Sequence, residues 1–371
     1  MIHLANFITP HTVTERFTFE IPPASQPTIL RAEARCEGGE ALLTYEMTHF
    51  GEGVVYRSMA YTVGGGEFTR QEWRLPPSLH GTTITACIAV PEGCRLILRS
   101  LESAPSDLRV PWNGGLRLNA HLGFWGLCPD NTMPAFELAA QCGYPACIVV
   151  PKPTADGDLV CIHDDTINRT ARDAAGNPPD HPMTVWEMTL DELCRWEVGS
   201  YKHPIWRGVK IPRLEEFFAL CARTGMRPMF STHPALTDGQ WAQVKELLRR
   251  YGLTGQFHVK SFGADVLAKA WEVFGDTIEG YTYDVNSRSL DIPARIADLA
   301  GTGIERGKVR VGIELPQADM TEERARMILD AGCFASVWNV GRIPAARYRE
   351  LMAMGVTEVT DDFNCSYGLN W

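Results

Sequence analysis

The sequence predicts an α/β chain: a (β/α)8 barrel of the TIM type preceded by an antiparallel β-sandwich. Three observations carry this. The first hundred or so residues read as short alternating strands separated by glycine-rich turns. From Leu116 onward, apolar runs of strand length alternate with amphipathic helical segments. No G-x-G-x-x-G follows any of those runs, which disfavours a doubly wound nucleotide-binding sheet.

In the first part, Thr12–Ile21 and Ala41–Thr48 alternate, and Val54–Val63, Thr82–Val90 and Cys94–Leu101 are β-rich. Gly38-Gly39-Glu40, Gly51-Glu52-Gly53, Gly64-Gly65-Gly66 and Pro91-Glu92-Gly93 separate them. The grammar changes after Pro111-Trp112-Asn113-Gly114-Gly115, so the expected division is a sandwich over 1–112 and a barrel over 113–371. Strands are expected at Leu116–Ala120, Ala146–Val150, Leu159–Ile162, Arg227–Thr232, Phe257–Ser261, Ile278–Asp284, Val309–Glu314, Ala335–Asn339 and Glu358–Thr360. Helices are expected at Thr132–Cys142, Leu190–Trp196, Leu214–Thr224, Asp238–Tyr251, Ala264–Val273, Ile292–Ala300, Thr321–Ala331 and Ala345–Met354.

Composition narrows the function. The chain of 371 residues carries 35 basic and 45 acidic side chains, a formal charge of −10, which disfavours nucleic acid as the partner. No run approaches the ~18 apolar residues of a membrane span, and the first residues lack the pattern of an export signal. The 11 cysteines include no C-x-x-C pair, so reduced thiols and a cytoplasmic location are expected. The partner is then a small molecule, a phosphodiester or a sugar-containing substrate, with homo-oligomerisation left open.

In a barrel of this kind the chemistry sits at the carboxyl ends of the strands. Reading those positions in order gives His121, Pro151-Lys152, His163-Asp164, Ser231-Thr232-His233 and Lys260-Ser261. Tyr281 and Tyr283, Glu314, Trp338-Asn339 and Asp361 follow. Two histidines at neighbouring strand ends suit a general acid–base pair, because imidazole titrates near working pH. Glu314 and Asp361, should both face inward, would instead suit glycoside chemistry.

The order of motifs over roughly residues 117–371 resembles the glycerophosphodiester phosphodiesterase family. The residues that carry the likeness are His121-Leu122-Gly123, Pro129-Asp130-Asn131-Thr132, Ala135-Phe136, Asp156-Gly157, His163-Asp164 and Asn168-Arg169-Thr170. Leu190-Asp191-Glu192-Leu193, Ile211-Pro212-Arg213-Leu214-Glu215-Glu216, Ser261-Phe262, Trp338-Asn339-Val340 and Thr360-Asp361 continue it. The resemblance implies a phosphoric diester hydrolase on a TIM barrel, with Asn131 and Asp164 positioning the histidine side and Trp338 walling the substrate.

The departures are as informative. The resemblance implies a divalent cation on a Glu-x-Asp pair and a later Glu, but those positions fall on Ile148, Val150 and Ser231, and the family's Arg is Leu122. Apolar side chains cannot ligate a hard cation, so no metal or other cofactor is expected. If the strand runs on, Lys152 shares a face with Ile148 and Val150 and could supply a fixed positive charge there, with His233 as a second candidate. Metal-free bacterial phosphatidylinositol-specific phospholipases C are similar in this logic. The expected site is therefore His121, His163 and Lys152 for catalysis, with Asn131, Asp164, Ser231, His233, Tyr283 and Trp338 contacting substrate. A barrel that binds without turning over, or that cleaves glycosides, is the alternative.

Overall fold

In the computed structural model the described residues are 15–22, 27–49, 54–58, 60–77, 82–105, 116–231, 236–338, 344–362 and 364. The expected boundary at 112/113 lies outside them.

The first region holds eight antiparallel strands: β1 (Glu15–Ile21), β2 (Thr28–Glu37), β3 (Ala41–His49), β4 (Val54–Arg57), β5 (Tyr61–Val63), β6 (Thr69–Leu75), β7 (Thr82–Ala89) and β8 (Arg95–Pro105). They form two sheets, β1-β7-β3-β4 with β5 on β3, and β6-β2-β8. The strands β2 and β6 were not anticipated. Their outward positions are heavily charged (Arg31, Glu33, Arg35 on β2), which hides the inward row Leu30, Ala32, Ala34 and Cys36. The single strand expected over Val54–Val63 is two, because Ser58 turns back onto Tyr45: its N–H donates to the Tyr45 carbonyl at 2.9 Å and its Oγ accepts from the Tyr45 N–H at 2.9 Å. The sheets pack face to face through Tyr45, which stacks on Trp73 and donates its hydroxyl to Gln71 Oε1 at 3.0 Å.

Eight parallel strands then close a barrel, in the order β9 (Arg117–His121), β10 (Ala146–Val149), β13 (Arg227–Ser231), β14 (His258–Ser261), β15 (Gly280–Asp284), β16 (Arg310–Pro316), β17 (Phe334–Trp338) and β18 (Val356–Asp361). The helices are α1 (Met133–Gln141), α2 (Leu190–Leu193), α3 (Leu214–Thr224), α4 (Asp238–Arg250), α5 (Ala264–Phe274), α6 (Ile292–Gly301), α7 (Glu322–Asp330) and α8 (Ala345–Ala353). Threonine caps Thr237 and Thr321 accept backbone N–H groups at the starts of α4 and α7.

One expected barrel strand is not in the barrel. Residues 151–153 (β11) and 159–161 (β12) pair antiparallel as a hairpin outside the wall. Pro151 and Pro153 have no N–H to give a parallel ladder, so the chain leaves the barrel after Val149 and turns at Asp156-Gly157. Behind the hairpin, Val160, Ile162, Ile167, Ala171, Val185 and Ile211 belong to a small separate core. His163 therefore rides on an insertion between the second and third barrel strands, and Arg227–Ser231 is the third strand rather than the fourth.

The two regions share one continuous apolar core. An aromatic column crosses between them: Trp73 against Tyr56 (5.5 Å), Tyr56 against Phe124 (5.3 Å) and Phe124 against Tyr144 (6.1 Å). No helix among the described residues is long and apolar enough to cross a membrane.

Candidate active site at the carboxyl ends of the barrel strands

His121 ends β9, where the chain turns sharply through Leu122 (φ 57°) and Gly123 (φ 86°). A Cβ on Gly123 would lie 2.6 Å from the Ala135 backbone, so glycine is required both by φ and by the close approach of α1. His121 Nδ1 lies 2.7 Å from Asp362 Oδ1. His163 Nδ1 lies 2.8 Å from Asp164 Oδ1. The two imidazole rings face each other edge to face with centroids 6.4 Å apart. His163 is half exposed and His121 more sheltered, with Trp125 5.9 Å from its ring.

Asp164 is itself held. Arg169 donates Nε to Asp164 Oδ2 at 2.6 Å and clasps Asp130 with both terminal nitrogens at 3.1 and 2.9 Å, and Tyr201 donates to the same Asp130 carboxylate. Partial burial opposes charge on Asp164, but the hydrogen bonds from His163 and Arg169 outweigh it and hold the carboxyl well below its usual range. The same balance, burial against Arg169 and Tyr201, keeps Asp130 ionised. Arg169, Asp130 and Tyr201 were not singled out as site residues; an arginine between two carboxylates far apart in sequence is a tertiary feature.

Asn131, also at positive φ (51°), accepts the Val150 N–H at 3.2 Å through Oδ1, tying the end of β10 to the His121 turn. Ser231 ends β13 and is half-buried; His233 lies outside the described residues. Trp338 ends β17 and donates its indole N–H to the Val285 carbonyl at 3.4 Å, with exposed Phe262 6.5 Å from its ring.

Three expectations are corrected. Lys152 does not continue the β10 face: it sits on the hairpin strand β11, buried, with Nζ 2.8 Å from Asp165 Oδ1. Tyr283 points away from the barrel interior, its hydroxyl between Arg295 (3.2 Å) and Asp298 (3.4 Å) of α6; Tyr281 likewise reaches the Gly275 carbonyl. On β15 it is Thr282 and Asp284 that face inward, as the two-residue period requires. Asp361 is bound by the Tyr144 hydroxyl at 2.8 Å on the helix side, and its neighbour Asp362 is the one that reaches His121.

Beneath the histidines the interior is polar. Lys260 Nζ is bonded to Glu314, lies 3.6 Å from Asp284 Oδ1 and 3.4 Å from Thr360 Oγ1; Ser336 and Thr360 donate to Glu314 Oε1 at 2.6 and 2.8 Å. Burial pushes Asp284 up to about 8, whereas Lys260 and the two hydroxyls overcome burial to keep Glu314 charged. Glu314 and Asp361 thus lie on opposite faces of the wall and do not form a facing carboxylate pair.

The residues at the positions where the family resemblance implies a cation do not fit one. Ile148 packs with Ala146 and Met229 in an apolar cluster, and Val150 is buried and offers no donor atom from its side chain. Among the described residues no three His, Cys, Asp or Glu side chains gather as a metal would need.

Residues 121–265 match the glycerophosphoryl diester phosphodiesterase family. A glycerophosphodiester phosphodiesterase of Bacillus altitudinis is 28% identical over 159 residues, 41% of this chain and 60% of that protein. One from Bacillus subtilis (strain 168) is 23% identical over 262 residues, 66% of this chain and 82% of that protein. The structure of an Oleispira antarctica phosphodiesterase in complex with the product sn-glycerol-3-phosphate superposes with a TM-score of 0.55 at 21% identity, covering 68% of this chain and 94% of that one. The chain thus spans less than two thirds of the length of the Bacillus altitudinis relative. Fold, motif order and the matched residues 121–265 agree in making the barrel of this chain similar to the glycerophosphodiester phosphodiesterases.

Proposed function

We propose that this chain cleaves small phosphodiesters of the glycerophosphodiester class by acid–base chemistry between His121 and His163, without a divalent cation at the family positions now held by Ile148 and Val150. The observation that carries the proposal is the pair of carboxylate-backed imidazoles 6.4 Å apart at the barrel mouth. A histidine whose Nδ1 is turned to a carboxylate presents Nε2 to the reacting group, and the carboxylate favours the imidazolium that forms. Asp164, held ionised by His163 and Arg169, backs the His163 ring, and His163 is the acid that gives its proton to the leaving alkoxide. His121 is then the base: its Nε2 takes the proton from water, or from a vicinal hydroxyl of the substrate, as that oxygen attacks phosphorus. The O–P bond to the leaving alcohol breaks, and the two imidazoles have exchanged protonation states. Relatedness to a phosphodiesterase bound to sn-glycerol-3-phosphate supports a glycerol-phosphate product class.

Of the two cations expected to neutralise the phosphate, Lys152 is paired with Asp165 and His233 lies outside the described residues; Lys260 and Arg169 are likewise engaged, with Glu314 and with two carboxylates. The reading therefore leans on the imidazolium for charge. The test is hydrolysis of an activated phosphodiester and of glycerophosphodiesters in EDTA, then with Mg²⁺ or Ca²⁺, by wild type and His121→Ala. Turnover that survives EDTA and falls by roughly 10²-fold or more in the variant is expected. Turnover that requires added metal, or none with any of these substrates, would overturn the proposal.

A further inference from the structure

The His121–Asp362 pair sits just beyond the ladder that joins the first and last barrel strands: the β9–β18 register ends at Ala120 opposite Asp361. Strand pairing brings the two side chains near each other, but the turns that follow decide how they are aimed. Those turns are fastened by one residue. Asn364 accepts the Gly126 N–H at 2.9 Å through Oδ1 and donates Nδ2 to the Gly123 carbonyl at 3.3 Å, so it clamps the turn that leaves His121. It stands two residues after Asp362, is wholly buried, and adopts a left-handed conformation (φ 55°) that asparagine tolerates better than most side chains.

Its own backbone is held from the other region. The Tyr56 hydroxyl donates to the Asn364 carbonyl at 2.6 Å, while the Tyr56 ring is fixed between Trp73 of the sandwich core and Phe124 of the His121 turn. A parallel bridge between Ala60 and Pro344 brings the same edge of the sandwich to the chain that follows Trp338. The sandwich therefore docks on the loops after the first, seventh and eighth barrel strands, on the catalytic side. We propose that Tyr56 is a positioning residue for the His121–Asp362 pair, acting through Asn364, so that the N-terminal sheets complete the active site. The catalytic part of this inference rests on the function proposed above.

The test compares Tyr56→Phe, which keeps the ring and removes the hydrogen bond, with Asn364→Gly, which keeps the φ and removes the clamp. Each should lower kcat on an activated phosphodiester by on the order of tenfold with KM little changed, because misaim at the chemistry costs rate rather than binding. Thermal unfolding should move little in Tyr56→Phe. Combined with Asp362→Asn, Tyr56→Phe should add no further loss, since both act on one pair. Independently of activity, the His121 Nδ1 proton resonance, assigned by its absence in His121→Gln, should shift or broaden in Tyr56→Phe. An unchanged kcat with an unchanged resonance overturns the inference, and so does a loss that simply multiplies with that of Asp362→Asn. If the wild type cleaves no phosphodiester, the functional reading fails, and the resonance by itself decides whether Tyr56 aims the pair.

Discussion

His258 offers a measurement independent of any substrate. It faces the floor of the barrel on β14, wholly buried, with Nε2 2.7 Å from Thr282 Oγ1 and its ring 6.2 Å from Phe334. Burial, with Arg310, Arg227 and Lys260 nearby and Glu279 opposing, pushes its pKa from 6.5 down to about 3. A depressed pKa means that the unfolded chain binds more protons across that window. Stability from this group is complete above pH 6.5 and is lost as pH falls toward 3. At pH 5 the imidazole is about 1.5 units into the window, which corresponds to about 2 kcal/mol. Asp284 acts with the opposite sign: its pKa is raised to about 8, so its contribution falls as pH rises from its unfolded value toward that point. Wild-type data alone would mix the two. The perturbation is therefore His258→Gln, which cannot titrate, with urea unfolding of both proteins at pH 7.5 and pH 5. Asp284 cancels in the comparison, and the acid-induced loss should be about 2 kcal/mol smaller in the variant. An equal loss in both proteins would refute the argument that burial keeps this imidazole neutral.

Other substitutions probe the site and its support. Asp362→Asn should lower kcat by about 10²–10⁴-fold with the fold retained, measured on the activated phosphodiester, because the amide no longer stabilises the His121 imidazolium. Lys260→Met leaves Glu314 charged and unpaired in the interior and should cost about 3–5 kcal/mol in urea unfolding; adding Glu314→Gln should recover part of that loss. Gly123→Ala combines a positive φ with a Cβ 2.6 Å from the Ala135 backbone, so a drop of about 2 kcal/mol or more and a displaced His121 turn are expected.

The barrel was legible because its strands and helices obey two different periods. The helix predicted over Leu214–Thr224 has those bounds, and most other barrel elements agree within about two residues. The exception is the hairpin: 159–161 has the composition of a buried strand, and only the two prolines of β11 signal that the chain has left the wall. The missed strands β2 and β6 carry charge on their outer rows, so their alternation reads as polar chain until the facing sheet supplies the core.

The candidate site divides along the same line. His121 could be named from a strand end, and His163 and Asp164 from motif order, although His163 follows a hairpin strand outside the wall. The partner of His121 could not: Asp361 and Asp362 are adjacent and chemically equal, and the pleat turns one to Tyr144 and the other to the imidazole. A continuing strand face points to Lys152 and a strand-end position to Tyr283, and the chain's departure from the wall and the inward register of Thr282 and Asp284 redirect both.

By itself the sequence determined the class of the fold, most of the elements of the barrel, and the acidic character that disfavours nucleic acid. Each of these is a property of composition or of local periodicity, which no folding is needed to read. Only the tertiary structure decided that Arg169 braces His163 through Asp164, that Lys260 is neutralised inside the barrel, and that Tyr56 reaches the turn behind His121. The last contact joins residues 308 positions apart in the chain. Such contacts depend on which face each strand turns inward and on where the sheets come to rest, and short-range pattern holds no information about either.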